Sequence, residues 1–121
     1  MCDRRDNFAK GKLGEDLAAE FLSKKGYKIL LRNYKNKYGE IDIIALNRTA
    51  LVFIEVKART STFFGRPEEA VNYTKQKRIT NAAEYFLSNN SLPYKSCRFD
   101  VISINLTDME VSHIENAFLS A

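Results

Sequence analysis

Tryptophan is absent from the 121 residues, and there are only one histidine, two cysteines and two prolines. Cys2, Cys97 and His113 cannot assemble a Cys/His zinc site. So few cysteines also exclude a disulfide scaffold. With five glycines and no repeat or low-complexity tract, the chain is neither collagen-like nor wholly disordered. No apolar run approaches the roughly 18 residues of a spanning helix, so no membrane role is expected. The opening MCDRRDNFAKGK lacks the apolar stretch of a signal peptide, and the expected location is the cytoplasm. What is present is ordinary for a globular protein: 45% hydrophobic and 28% charged residues. This length suits one domain that buries roughly 65% of its unfolded surface. Residues 1–121 are read as that domain, with residues 1–7 as a disordered tail.

The net charge of +4 is unevenly placed. Residues 1–78 carry 17 Lys/Arg against 10 Asp/Glu, whereas residues 79–121 carry 2 against 5. A basic first two-thirds suits a polyanionic partner, of which nucleic acid is the commonest; a solvated lysine-rich surface is the alternative.

Periodicity orders the elements. Residues 8–25 read as a helix, with Leu13, Leu17, Ala18, Phe21 and Leu22 on one arc and Gly26 just past the end. Glu15 falls on the border of that arc. Strand-like runs follow at 27–34, 39–47 and 50–57, with turns at 35–37 and 48–49, giving a meander. Arg48-Thr49 is not a preferred hairpin pair. A small and basic loop leads to Pro67, suited to a first helical turn, and helical spacing continues to about Ser88. Thr74 is a possible cap for a second helix within that stretch. Strands at 98–104 and 110–114 complete an αβββαββ order, an α/β fold with a central mixed sheet flanked by helices.

The third strand ends Glu55-Val56-Lys57. Side chains alternate along a strand, so Glu55 and Lys57 share one face, about 6.6 Å apart, and Val52, Ile54 and Val56 turn to a core on the other. A turn centred between Arg48 and Thr49 sets Asp42 opposite Glu55 and Glu40 opposite Lys57, a pair that would restrain the lysine. Opposed carboxylates with Cβ atoms roughly 4.5–5.5 Å apart repel unless something offsets the charge. A hard divalent cation does so, since Mg²⁺ is commonly held by one or two carboxylates, waters and phosphate oxygens. Lys57 beside it is suited to orient or deprotonate a water, and Glu15 to complete the site through a water. The alternative is that both acids are solvated or paired with separate lysines.

Gly39-Glu40-Ile41-Asp42 followed by Phe53-Ile54-Glu55-Val56-Lys57 resembles the active-site pair of the PD-(D/E)xK nuclease superfamily. From about Gly14 to Val101 the chain resembles the bacterial YraN-like family, itself distantly similar to archaeal Holliday-junction resolvases. Gly14-Glu15, Lys75-Gln76 with Arg78, and Arg98-Phe99-Asp100-Val101-Ile102 belong to the match. The resemblance implies a restriction-endonuclease-like fold and Mg²⁺-dependent phosphodiester hydrolysis, with Mn²⁺ as a substitute. It places Asp42 and Glu55 as metal ligands, Lys57 as the catalytic lysine and Glu15 as an acid from the first helix. Ile41 stands where the superfamily has a variable proline.

Arg59 and Arg66 adjoin the Lys57 end and suit a substrate strand. Lys75, Gln76 and Arg78 on the second helix suit phosphate contacts, which carry no base sequence information, or else form a solvated face. Tyr34 and Tyr38 either stack on an unpaired base or are half-buried at a strand end. Arg98 and Asp100 read as a structural salt link, His113 as inert, and Cys97 as a small core residue. The leading expectation is an endonuclease acting on structured or branched DNA, in which paired cuts would suit a homodimer. A non-catalytic nucleic-acid-binding module and an accessory subunit of a DNA-processing complex are the alternatives.

Overall fold

Between Leu51 and Ile54 the apolar residues are continuous, which is the pattern of a strand covered on both faces. A computed structural model, describing residues 4–60 and 72–118, has that arrangement. Its elements are α1 (Arg4–Lys24), β1 (Lys28–Asn36), β2 (Gly39–Asn47), β3 (Ala50–Arg59), α2 (Tyr73–Ser88), β4 (Ser96–Asn105) and β5 (Glu110–Phe118). The expected αβββαββ order is therefore present. The five strands lie side by side in chain order. All pairs are antiparallel except β3 with β4, which are parallel and joined through the connection carrying α2.

Each face carries its own core. Beneath α1, Ala18, Leu22 and Tyr27 pack on Ile43, Ala45, Val52, Ile54, Ile102 and Ile104. Beneath α2, Ile79, Ala82, Ala83 and Phe86 pack on Ile41, Ile44, Leu51, Phe53, Phe99 and Val101. Besides the expected Val52/Ile54 side, Leu51 and Phe53 are buried on the same side as Glu55, so the face that carries Glu55 is also a core face.

Other boundaries shift for local reasons. Helix α1 starts at Arg4 and takes in residues read as tail. Its end is as expected, with Gly26 at φ 92° and Tyr27 N–H donating to the Leu22 carbonyl at 3.0 Å. Helix α2 is capped by Asn72, not Thr74, because the Asn72 side chain accepts from Lys75 N–H. The expected helical residues 67–71 lie outside the described residues. The first hairpin turns at Lys37-Tyr38, where the Asn36 side chain accepts from Tyr38 N–H at 2.9 Å. Arg48 takes φ 56°, which the two-residue turn between Asn47 and Ala50 requires of it and which makes Arg-Thr a disfavoured pair there. Cys97 is exposed, not core.

Two glycines let the layers approach. A Cβ on Gly14 would stand 2.5 Å from the Ala58 Cβ, so α1 crosses β3 here at a distance only glycine permits. A Cβ on Gly39 would lie 3.2 Å from the Arg78 carbonyl, bringing α2 down on the first hairpin.

The Arg98–Asp100 link is present, and larger than expected. Asp100 is fully buried. It accepts from Arg98 Nε at 3.1 Å and Asn116 N–H at 3.1 Å, and meets His113 Nε2 at 2.7 Å. His113 Nδ1 meets Lys25 Nζ at 2.9 Å, and Arg98 also donates to the Tyr27 hydroxyl. His113, read as inert, thus ties β5 to β4 and to the end of α1.

Candidate active site

The site forms where β2 and β3 part. Their ladder runs from Asn47↔Ala50 to Ile43↔Ile54 in the expected register and stops there. One residue further, the Asp42 carboxylate accepts from Val56 N–H at 2.8 Å. A side-chain oxygen has taken the place of a ladder carbonyl, which draws Asp42 into the gap.

Glu55 is buried and lies within hydrogen-bonding reach of Asp42. Burial, then the Glu55 charge, pushes the Asp42 carboxyl up to about 7, against the opposing effect of the Val56 N–H. The two acids come together beyond the end of the ladder, with Asp42 drawn to the Val56 N–H and not placed by strand pairing. Lys57 Nζ stands 3.8 Å from Glu55 Oε1. Among the described residues Lys57 pairs with Glu55 and not with Glu40, which is exposed and aligned with Lys35 of β1; the expected Glu40–Lys57 restraint is absent.

Lys75, expected at a phosphate contact, has a contact that sequence reasoning did not suggest. Its Nζ lies 2.5 Å from Glu55 Oε1, which sets it beside the acid pair. The signal was legible: Lys75 precedes Ile79, Ala82 and Phe86 by four, seven and eleven residues, on the buried stripe of α2. Burial is the largest effect on the Lys75 ammonium and works against it, but the hydrogen bonds to Glu55 and Lys57 and the charges of Glu55 and Asp42 together outweigh it and the pKa rises. Burial, with Lys75 adding to it, pushes the Lys57 ammonium down.

Glu15 reaches the site from the other layer. The Gly14–Ala58 contact sets the first helix against the end of β3, and Arg32 Nε donates to Glu15 at 3.3 Å. Arg32 also binds Asp16 at 2.5 Å, and this hydrogen bond holds the Asp16 carboxyl below its ordinary value. Glu15, Asp16, Arg32, Glu40, Asp42 and Val56, with Lys12, line an open cleft of about 700 Å³ on the α1 side. Asp42 faces this cleft and also meets Glu55, so it joins the two sides of the parted strands. No feature of the sequence pointed to Arg32.

Of the remaining residues, Arg78 is exposed and Gln76 half-buried on α2, and Arg59 is half-buried at the end of β3. Arg66 lies outside the described residues. Tyr34 is half-buried against Phe86, whereas Tyr38 is exposed beside Tyr85, with Lys37 Nζ 5.2 Å above its ring.

Two touching carboxylates, one of which keeps its proton to about pH 7 in the absence of a neutralising ion, suit a hard divalent cation. No group of three or more His, Cys, Asp or Glu among the described residues is arranged to hold a metal. Asp42 and Glu55 are the two carboxylates that could hold such an ion at the gap, with water or substrate oxygens needed to complete its coordination.

A mixed five-stranded sheet with a helix on each face, and acids meeting where two central strands part, define a restriction-endonuclease-like α/β fold. The model described as Uncharacterised protein family UPF0102 matches residues 14–104, and the chain belongs to that family, the YraN-like family it resembles. A UPF0102 protein of Caldanaerobacter subterraneus is 48% identical over 113 residues, covering 89% of this chain and 93% of that one. One from Thermodesulfovibrio yellowstonii is 52% identical over 108 residues, covering 89% and 94%. Among solved structures, Pyrococcus furiosus SfsA in complex with Ca²⁺ aligns at 13% identity and TM-score 0.36, covering 90% of this chain and 63% of that chain. None of the described helices is long and apolar enough to cross a membrane.

Proposed function

We propose that this protein is a Mg²⁺-dependent endonuclease that hydrolyses phosphodiester bonds in structured or branched DNA, with Mn²⁺ able to substitute. The observation that carries the reading is the meeting of Asp42 and Glu55 at the β2–β3 gap with Lys57 beside them. Binding alone needs no such pair, because juxtaposed carboxylates repel the phosphate backbone. When bound, the metal supplies positive charge at the scissile phosphate. Asp42 and Glu55 hold it in the gap. Lys57, its ammonium made easier to deprotonate by burial, orients the attacking water or accepts its proton. Glu15, fixed by Arg32, hydrogen-bonds water at the cleft side. Arg78 and Arg59, with Arg66, engage backbone phosphates, which makes binding salt-dependent but not sequence-specific.

A second reading, a nucleic-acid-binding module without cleavage, is favoured by one observation: Glu55 already has a cationic partner in Lys75. An accessory subunit draws less support, because the large apolar side chains that α2 exposes are the tyrosines Tyr73 and Tyr85. The deciding experiment incubates the protein with four-way junctions, flaps, linear duplex, and single-stranded DNA and RNA, with Mg²⁺, Mn²⁺ or chelator. Metal-dependent cutting of branched DNA, lost in Asp42→Asn and Lys57→Ala, is expected. Salt-sensitive binding without cutting under any condition refutes the enzyme and leaves the module.

A further inference from the structure

Opposed carboxylates need a counter-charge, and in this structure the protein supplies one itself. Lys75 is three residues beyond the Asn72 cap, whose side chain accepts from the Lys75 backbone N–H at 2.9 Å. The first turn of α2 is thereby fixed, and the side chain descends along the buried stripe to Glu55. There the two lysines are not equivalent. Lys75 Nζ is at 2.5 Å from Glu55 Oε1 and Lys57 Nζ at 3.8 Å from the same oxygen. Glu55 is almost fully enclosed, so it has little water to stabilise its charge and depends on these ammoniums.

The geometry points to Lys75 as a built-in competitor for the divalent ion: its ammonium neutralises Glu55 in the metal-free protein, and a metal binds only by displacing it. A cation on Glu55 and an ammonium at 2.5 Å from the same oxygen repel each other, so both cannot keep these positions. Metal loading is therefore coupled to release of the Lys75 side chain from Glu55, and the freed ammonium lies at the site's edge on α2. In the metal-free state the exchange also protects the fold, because Glu55 is never left buried and unpaired. This inference rests on the proposed metal-dependent function, and assigns a positioning residue that acts on the metal through Glu55.

Calorimetric titration of Mn²⁺ into the full chain tests it, comparing wild type with Lys75→Met and Lys75→Arg, each checked for folding by thermal melting in chelator. The competitor predicts that Lys75→Met binds Mn²⁺ about tenfold or more tightly than wild type, and that Lys75→Arg, which restores the charge, stays near wild type. Should Lys75→Met be too unstable to titrate, Lys75→Gln, which retains a hydrogen-bond donor without charge, serves in its place with the same expectation. Binding by wild type that is unchanged or weaker in the neutral variants overturns the competitor and leaves the metal site standing. Absence of binding in wild type and neutral variants alike, up to millimolar Mn²⁺, overturns the metal site and the competitor together.

Discussion

Replacing Asp42 by asparagine should stabilise the metal-free protein, and should do so more as the pH rises. In the fold the Asp42 carboxyl titrates near 7, raised from 3.8 by burial and by Glu55. The unfolded chain therefore releases this proton near pH 4 while the native state retains it. Between those values the native state binds more protons than the unfolded one, so wild-type stability falls as pH rises, by about 1.4 kcal/mol per pH unit for one proton. The full displacement corresponds to about 4 kcal/mol, and residual solvent contact of the half-buried carboxylate reduces the expected change to about 2–4 kcal/mol. The amide of the Asp42→Asn variant still presents an oxygen to the Val56 N–H but carries no titrating proton. Urea unfolding in chelator at pH 5, 6, 7 and 8 should show the variant gaining on wild type up to pH 7 and levelling beyond it. Glu55→Gln should flatten the wild-type slope by removing the second cause of the shift. A stability difference independent of pH would refute the reasoning, since it would mean that Asp42 is neither desolvated nor coupled to Glu55.

Other perturbations test the scaffold. Gly14→Ala places a methyl 2.5 Å from the Ala58 Cβ and should cost about 1–3 kcal/mol by urea unfolding, with Ala58→Gly in the same chain restoring most of it. Asp100→Ala leaves Arg98 facing an empty buried position and should cost about 3–5 kcal/mol, a loss visible in thermal melts. Asn72→Ala removes the cap of α2 and should cost about 1 kcal/mol, with faster amide exchange confined to the first turn of that helix.

The fold was readable because its strands and helices differ in period and its turns are short. The turn at Arg48-Thr49 set the β2–β3 register from Asn47↔Ala50 to Ile43↔Ile54. That register failed at Glu40 and Lys57 because the ladder ends at Ile43↔Ile54, and a register cannot be extended past the point where strands part. Single-strand alternation also concealed that Glu55 lies on a core face, since the cover on that side comes from α2, distant in sequence. The charge of Lys75 suggests phosphate, whereas its place in the stripe with Ile79, Ala82 and Phe86 brings it to Glu55. The Arg32–Glu15 and His113–Asp100 contacts join residues 17 and 13 apart whose neighbours carry no pattern, so only the assembled layers reveal them.

Where a divalent ion binds is the most direct test of the proposed chemistry. Crystals soaked in Mn²⁺ and measured at the manganese absorption edge should give an anomalous peak in contact with both the Asp42 and Glu55 carboxylates, with the Lys75 ammonium moved off Glu55. Crystals that stay ordered in millimolar Mn²⁺ but show no peak between these carboxylates, or a peak only elsewhere, would contradict it.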